Sequence, residues 1–126
     1  MILDTSAIVS ILNQEDDAAR FAAAIEGAPT VAVSAGTILE AALVLGRTRG
    51  EALDAFLSLV GVSVVPVGSE HLQSARGAWE RYGRGSGSKA RLNYGDCFSY
   101  AAARVAGQPL LFKGDDFTHT DIASAL

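Results

Sequence analysis

The chain has a single cysteine, Cys97, so no intramolecular disulfide is open to it. It has only two histidines, His71 and His119. With one cysteine between them they make no His/Cys cluster of the kind that binds zinc. No apolar run approaches the roughly 18–20 residues that span a bilayer. The opening stretch "MILDTSAIVS" has no basic region and carries an acid at position 4, so it does not read as a secretory signal. Internal repeats and linker-like segments are also missing. These absences predict a soluble, cytoplasmic protein with no membrane association, folded as a single domain over residues 1–126.

An excess of positive charge is lacking too. The net charge is −4, which argues against nucleic-acid binding by the whole surface. The distribution is uneven, however. Five of the ten basic residues, Arg76, Arg81, Arg84, Lys89 and Arg91, fall between positions 76 and 91 against one acid, Glu80. A solvated loop accounts for such a cluster; so does a patch that faces phosphates.

The hydrophobic fraction of 49% is enough to build a core, and the 19% of charged residues makes disorder a poor reading. "MILD", "TVAVS", "VSVVPV" and "LLF" read as short buried strands. Pro66 marks the end of the third or a sheet edge. Between them lie helical patterns: "TSAIVSILN", "EDDAARFAAAIEG" with acids in its first turn, "AGTILEAALVLGRTRG", "EALDAFLSLVG", "SEHLQSARGAWERYG" with Ser69 as cap, and "LNYGDCFSYAAARVAG". "RGSGSK" reads as a flexible Gly/Ser loop. The tail near Ile122 can add an edge strand. Alternating strands and helices predict an α/β fold, a three-layer α/β/α sandwich around a mainly parallel sheet of four or five strands. Ligands in such sheets bind beyond the carboxyl ends of the strands.

Carboxylates recur at those ends. Asp4 follows the first strand, where on its own it reads as a helix N-cap. Glu40 lies within the third helix, among Gly36, Thr37, Leu43 and Val44. A carboxylate on that apolar side is costly without a partner, unless it sits at the border and reaches solvent. Asp96 is three residues past Asn93, a position that suits a capping box and a helix dipole. That dipole predicts a lowered pKa for Asp96. Asp115 and Asp116 follow the last strand, where acids are common turn formers. Each has an ordinary explanation alone. Jointly they occupy one rim of the sheet, and carboxylates so gathered repel unless a cation joins them. All-oxygen donors suit Mg²⁺, with Mn²⁺ as a substitute. A divalent ion there would activate water against a phosphodiester, and the basic loop would hold the polyanion beside it.

"ILDTSAIVSIL", "ILEAALVL", "LNYGDCFSYAAA" and "PLLFKGDDFTHTDI", in this order, resemble the PIN-domain ribonucleases, and within them the VapC toxins of bacterial toxin–antitoxin pairs. The resemblance spans essentially the whole chain. It implies a PIN-like fold, usually dimeric, and metal-dependent endonucleolytic cleavage of RNA. It implies a VapB-like antitoxin partner whose tail blocks the site, in a heterotetramer or larger assembly. It carries the role of main Mg²⁺ ligand to Asp4 and Asp96. Glu40 corresponds to a further acid, ligating directly or through water. Ser6 corresponds to a hydroxyl that orients the first carboxylate. The fourth acid is Asp116, which precedes Phe117, or its neighbour Asp115. Arg84, Lys89 and Arg91 are the candidate substrate-binding cations.

Other residues invite competing readings. Cys97 lacks a partner and reads as a small buried apolar residue. Nothing pairs His71 with His119 for metal-free acid–base cleavage. Trp79 and Tyr82 can stack bases, but packing or a dimer contact is the simpler role. "DTS" after the first strand invites a phosphotransfer or receiver-type protein with Asp4 as phosphoacceptor. A catalytically silent binding module on the same fold is a third possibility.

Overall fold

The computed structural model describes every residue from Met1 to Leu126. Four short strands, β1 (Ile2–Leu3), β2 (Ala32–Ser34), β3 (Ser63–Val65) and β4 (Leu110–Leu111), form one sheet in the order β3-β2-β1-β4. All pairings are parallel, with Ile2 opposite both Ala32 and Leu110. Helices α1 (Thr5–Leu12) and α2 (Ala18–Glu26) connect β1 to β2; α3 (Ala35–Leu45) and α4 (Gly50–Val60) connect β2 to β3. Helices α5 (Ser69–Tyr82) and α6 (Tyr94–Ala106) carry the chain back across the sheet to β4. A 3₁₀ turn, Asp116–His119, follows.

Strand periodicity explains the layers. Successive side chains point to opposite faces. Leu3, Val33 and Leu111 pack with Ala7, Ile8, Phe21, Ile25, Ala41, Leu53 and Phe56 of α1–α4. Ile2 and Leu110 face the other way, onto Ala78, Tyr100, Ala102 and Ala103 of α5 and α6 and onto Phe117. The central strands are therefore apolar on both sides, as parallel strands covered by helices must be. The α/β/α sandwich expected from the sequence is the observed fold.

Some local expectations fail. The acids before α2 do not enter its first turn: Glu15 and Asp17 precede Ala18 and pair instead with Lys113, at 2.7 and 3.5 Å. Ser69 does not cap α5. Gly68 occupies the cap and Ser69 is already helical. The tail adds a single parallel bridge, Leu110 to Ser124, in place of a strand. The Gly/Ser loop is tied down. Its ends meet in a Gly83–Leu92 bridge, and Ser86 and Ser88 hydroxyls accept backbone N–H groups within it, at 3.2 and 3.1 Å.

The chain order sets the site. From β1 it steps one way to β2 and β3, then returns to place β4 on the other side of β1. The strand order thus reverses between β1 and β4. That switch point opens a crevice at the carboxyl ends of the two strands, and Asp4 and the Asp115–Asp116 pair follow those ends.

Candidate metal and catalytic site

Asp4 is almost fully buried. Its backbone N–H donates to Leu111 O at 2.9 Å, which ties β1 to β4 at the crevice. It is also the N-cap of α1: Oδ2 accepts the Ser6 N–H at 2.9 Å and the Ser6 hydroxyl at 2.6 Å. Oδ1, equally buried, has no hydrogen-bond partner. A buried anionic oxygen without a donor is costly. A cation would satisfy it.

Asp96 starts α6 in a reciprocal capping box. Asn93 Oδ1 accepts the Asp96 N–H at 2.9 Å, and Asp96 Oδ2 accepts the Asn93 N–H at 2.8 Å. The capping reading of this acid is correct. The direction expected for its pKa is not. Desolvation raises it to about 7, and the charges of Asp4, Asp116 and Glu40 add to the rise; the bond from Asn93 opposes them. Burial among like charges outweighs the helix terminus.

Glu40 comes from the middle of α3. The Thr5 hydroxyl donates to its Oε1, and the carboxylate lies against Gly95 at the start of α6. Leu43 and Val44 beside it are exposed while Thr37 is buried, so Glu40 stands at the border of the core rather than within an apolar face. Behind it the Thr37 and Ser99 hydroxyls bond across 3.0 Å.

Asp115 and Asp116 are both exposed. Their positions differ in effect. The Asp116 charge acts on Asp96, whereas Asp115 sits at the cap of the 3₁₀ turn, where its carbonyl accepts the Thr118 N–H at 3.0 Å and the Thr118 hydroxyl at 2.6 Å. Both stay candidates for the fourth acid, with the charge of Asp116 the one that bears on Asp96. Asp4, Glu40, Asp96 and Asp116 thus converge from four separated segments.

No group of three or more His, Cys, Asp or Glu side chains is drawn close enough to hold a metal ion by itself. Mg²⁺ does not require such a cage. It keeps several waters and is held through one or two carboxylates. Asp4 and Asp96, each with one oxygen tied back and the other uncommitted by any protein bond, match that requirement.

The neighbouring surface is mixed. A groove of about 740 Å³ between α5 and the start of α6 is lined by Arg76, Trp79, Arg84, Asn93, Tyr94 and Phe98, among others. Asn93 joins it to the carboxylate rim. Arg84, Lys89 and Arg91 are exposed. Arg81, also exposed, is engaged with Tyr100, donating to its Oη at 3.0 Å. Tyr82 packs on Tyr100, ring centroids 5.9 Å apart, as a structural aromatic, while Trp79 remains half exposed. Cys97 is buried, with its thiol pushed up to about 11, and is no nucleophile.

A PIN-domain family model matches residues 1–123. Ribonuclease VapC30 of Mycobacterium tuberculosis is 48% identical, the match covering 98% of this chain and 97% of that one. The chain belongs to the VapC branch of the PIN-domain family. Ribonuclease VapC of Mycolicibacterium smegmatis is 45% identical to this VapC-family chain, covering 98% of each. Among solved structures, VapC20 of M. tuberculosis, described as a Sarcin-Ricin loop cleaving toxin, superposes with a TM-score of 0.76 at 20% identity, covering 97% of this chain and 95% of that one. A toxin–antitoxin complex from Klebsiella pneumoniae gives 0.72 at 14% identity, covering 99% and 97%. These two share the fold. The family assignment sets aside the phosphotransfer reading.

Two residues of the site were not singled out from the sequence, Thr5 and Gly95. Thr5 is adjacent to Asp4, yet only the packing of α1 against α3 turns it onto Glu40.

Proposed function

We infer that this chain is the toxin of a type II toxin–antitoxin pair and cleaves RNA endonucleolytically with the help of Mg²⁺ or Mn²⁺. Its VapC-named relatives support the activity. The observation that carries the metal is the buried, unpartnered Oδ1 of Asp4 at the β1/β4 switch point, the Asp4 charge being one of three that act on Asp96.

A bound divalent ion supplies activation of water and stabilisation of developing charge on the phosphodiester. The protein's own groups do the rest. Asp4 and Asp96 hold the ion. Ser6 orients Asp4. Glu40 and Asp116 position water. Arg84, Lys89 and Arg91 bind the phosphate backbone. Asp96 must lose its proton before it can ligate, so the ion and the proton compete for it.

The partner is a VapB-like antitoxin whose tail covers the site; a toxin–antitoxin complex of the same fold from Klebsiella supports an antitoxin partner as such. The toxin itself is a homodimer in the cytoplasm. Support comes from exposed apolar side chains: Leu72, Trp79 and Tyr94, the last 80% exposed, line one groove with Phe98, and Leu39 and Leu43, the latter 74% exposed, stand out from α3. The Phe98 ring packs with Tyr94 at a steep angle and lies against Gly36 of α3. No helix is long and apolar enough to cross a membrane.

Cleavage-site mapping across total RNA tests the function. Wild type is expected to cut at discrete sites with Mg²⁺ or Mn²⁺ and Asp96→Asn to cut at none. Undiminished cleavage in excess chelator would overturn the metal mechanism.

A further inference from the structure

Glu40 is the one acid of the rim delivered from a helix interior. Two other elements determine where its carboxylate rests. The Thr5 hydroxyl, at the start of α1, donates to Oε1, and the same hydroxyl lies 3.4 Å from the Thr37 carbonyl. On the opposite side the carboxylate lies on Gly95, the second residue of α6. A Cβ at position 95 would overlap the carboxylate, and even the farther oxygen, Oε1, would be only 2.6 Å away.

The glycine is not there for its backbone. Gly95 does not adopt a positive φ. Inside a helix, glycine is a poorer choice than alanine, and α6 uses alanine freely at 101–103. What position 95 offers is room. The first turn of a helix also favours an anion placed against it.

We propose that Gly95 is a positioning residue for Glu40, its missing side chain forming the seat on which the carboxylate rests beside Asp96, with the Thr5 hydroxyl fixing the second oxygen. The assignment rests on Glu40 being one of the acids that serve RNA cleavage. Because the group displaced by a larger residue is the far end of a flexible side chain, Gly95→Ala moves Glu40 and leaves the helix intact.

The test compares Gly95→Ala, Glu40→Asp, the double variant and Glu40→Gln in Mg²⁺-dependent RNA cleavage, with Mn²⁺ affinity by calorimetry and thermal unfolding alongside. Gly95→Ala is expected to lower kcat about tenfold, weaken Mn²⁺ binding by a similar factor, and unfold at or above the wild-type temperature. The shorter Asp at position 40 clears the added methyl. In that background Gly95→Ala is expected to cost less than about twofold more. An equal loss in both backgrounds, or a wild-type rate for Gly95→Ala, overturns the seat. Glu40→Gln cleaving at the wild-type rate overturns the role of Glu40 itself, a different failure. If Gly95→Ala does not fold, the hydroxyl side decides: Thr5→Ser should keep activity and Mn²⁺ affinity while Thr5→Val loses both, and equal behaviour of the two overturns the proposal.

Discussion

Ser6 and Lys113 are joined through one oxygen: the Ser6 hydroxyl accepts the Lys113 backbone N–H at 2.9 Å while donating to Asp4 Oδ2 at 2.6 Å. The loop that follows β4, and that leads to Asp116, is thereby fastened to the carboxylate that follows β1. Lys113 also pairs with Glu15 and Asp17, which secures the same loop from the α1–α2 turn. Ser6→Ala removes both bonds. We expect RNA cleavage and metal affinity to fall roughly 10- to 100-fold with the fold retained. A rate within twofold of wild type, at unchanged metal affinity, would show that Asp4 needs no such orientation.

The raised pKa of Asp96 makes a stability prediction. Its value of about 7 in the folded protein exceeds the ordinary carboxylate value of 3.8. Between those values the folded state binds a proton that the unfolded state has released, so the contribution of this group to stability falls as pH rises from about 4 to 7 and is flat above. In chelator, Asp96→Asn should flatten that slope and stabilise the protein at pH 7.5, by about 1 kcal/mol once solvent screening of a half-buried group is allowed for. Asn can still accept the Asn93 N–H through its amide oxygen, so the cap survives. Chemical denaturation at pH 5 and pH 7.5 checks this; parallel pH slopes for the two proteins would sink it.

Metal binding should show the complementary dependence. Below pH 7 the ion must displace the Asp96 proton, so apparent affinity for Mn²⁺ is expected to rise up to about tenfold per pH unit and to level off above 7. Calorimetry from pH 5.5 to 8.5 reads the curve directly. A flat profile would mean that Asp96 is not a ligand.

Tyr100 offers a control away from the chemistry. Its hydroxyl donates to Asp121 Oδ1 at 2.7 Å and accepts from Arg81 at 3.0 Å, so one buried ring ties the tail to α5. Tyr100→Phe should cost about 1 kcal/mol, a drop of roughly 4 °C in melting temperature for a domain this size, and leave kcat unchanged. A large loss of activity would place the α5–tail contact in the catalytic path.

The three exposed cations predict a salt signature. Replacing Arg84, Lys89 and Arg91 by alanine should weaken RNA binding and lower the slope of log affinity against log salt by about 0.7 for each phosphate that is no longer neutralised. Unchanged slopes in filter binding would remove these residues from the RNA path.

Much of the fold is legible in the sequence because its signals are local. Two-residue strands such as Ile2–Leu3 are recognisable because parallel strands buried on both faces are apolar throughout, and the Asn93–Asp96 box announces the start of α6. Local signals fail where a distant partner competes. Glu15 and Asp17 leave the α2 start for Lys113, nearly a hundred residues on. The serines of the Gly/Ser loop, which read as flexible, close it with their hydroxyls.

The site divides the same way. Sequence alone determined which residues carry charge, that Asp4 and the 115–116 pair follow strands, and that oxygen donors without histidine or cysteine suit a hard cation. Only the tertiary structure decided that the strand order reverses between β1 and β4, that the Asp116 charge bears on Asp96, and that Glu40 lies between Thr5 and Gly95. It also reversed the expected pKa shift of Asp96. The physical reason is range. A helix terminus acts within one turn and can be read from adjacent residues, whereas desolvation and the repulsion of Asp4, Glu40 and Asp116 exist only once four distant segments share one rim.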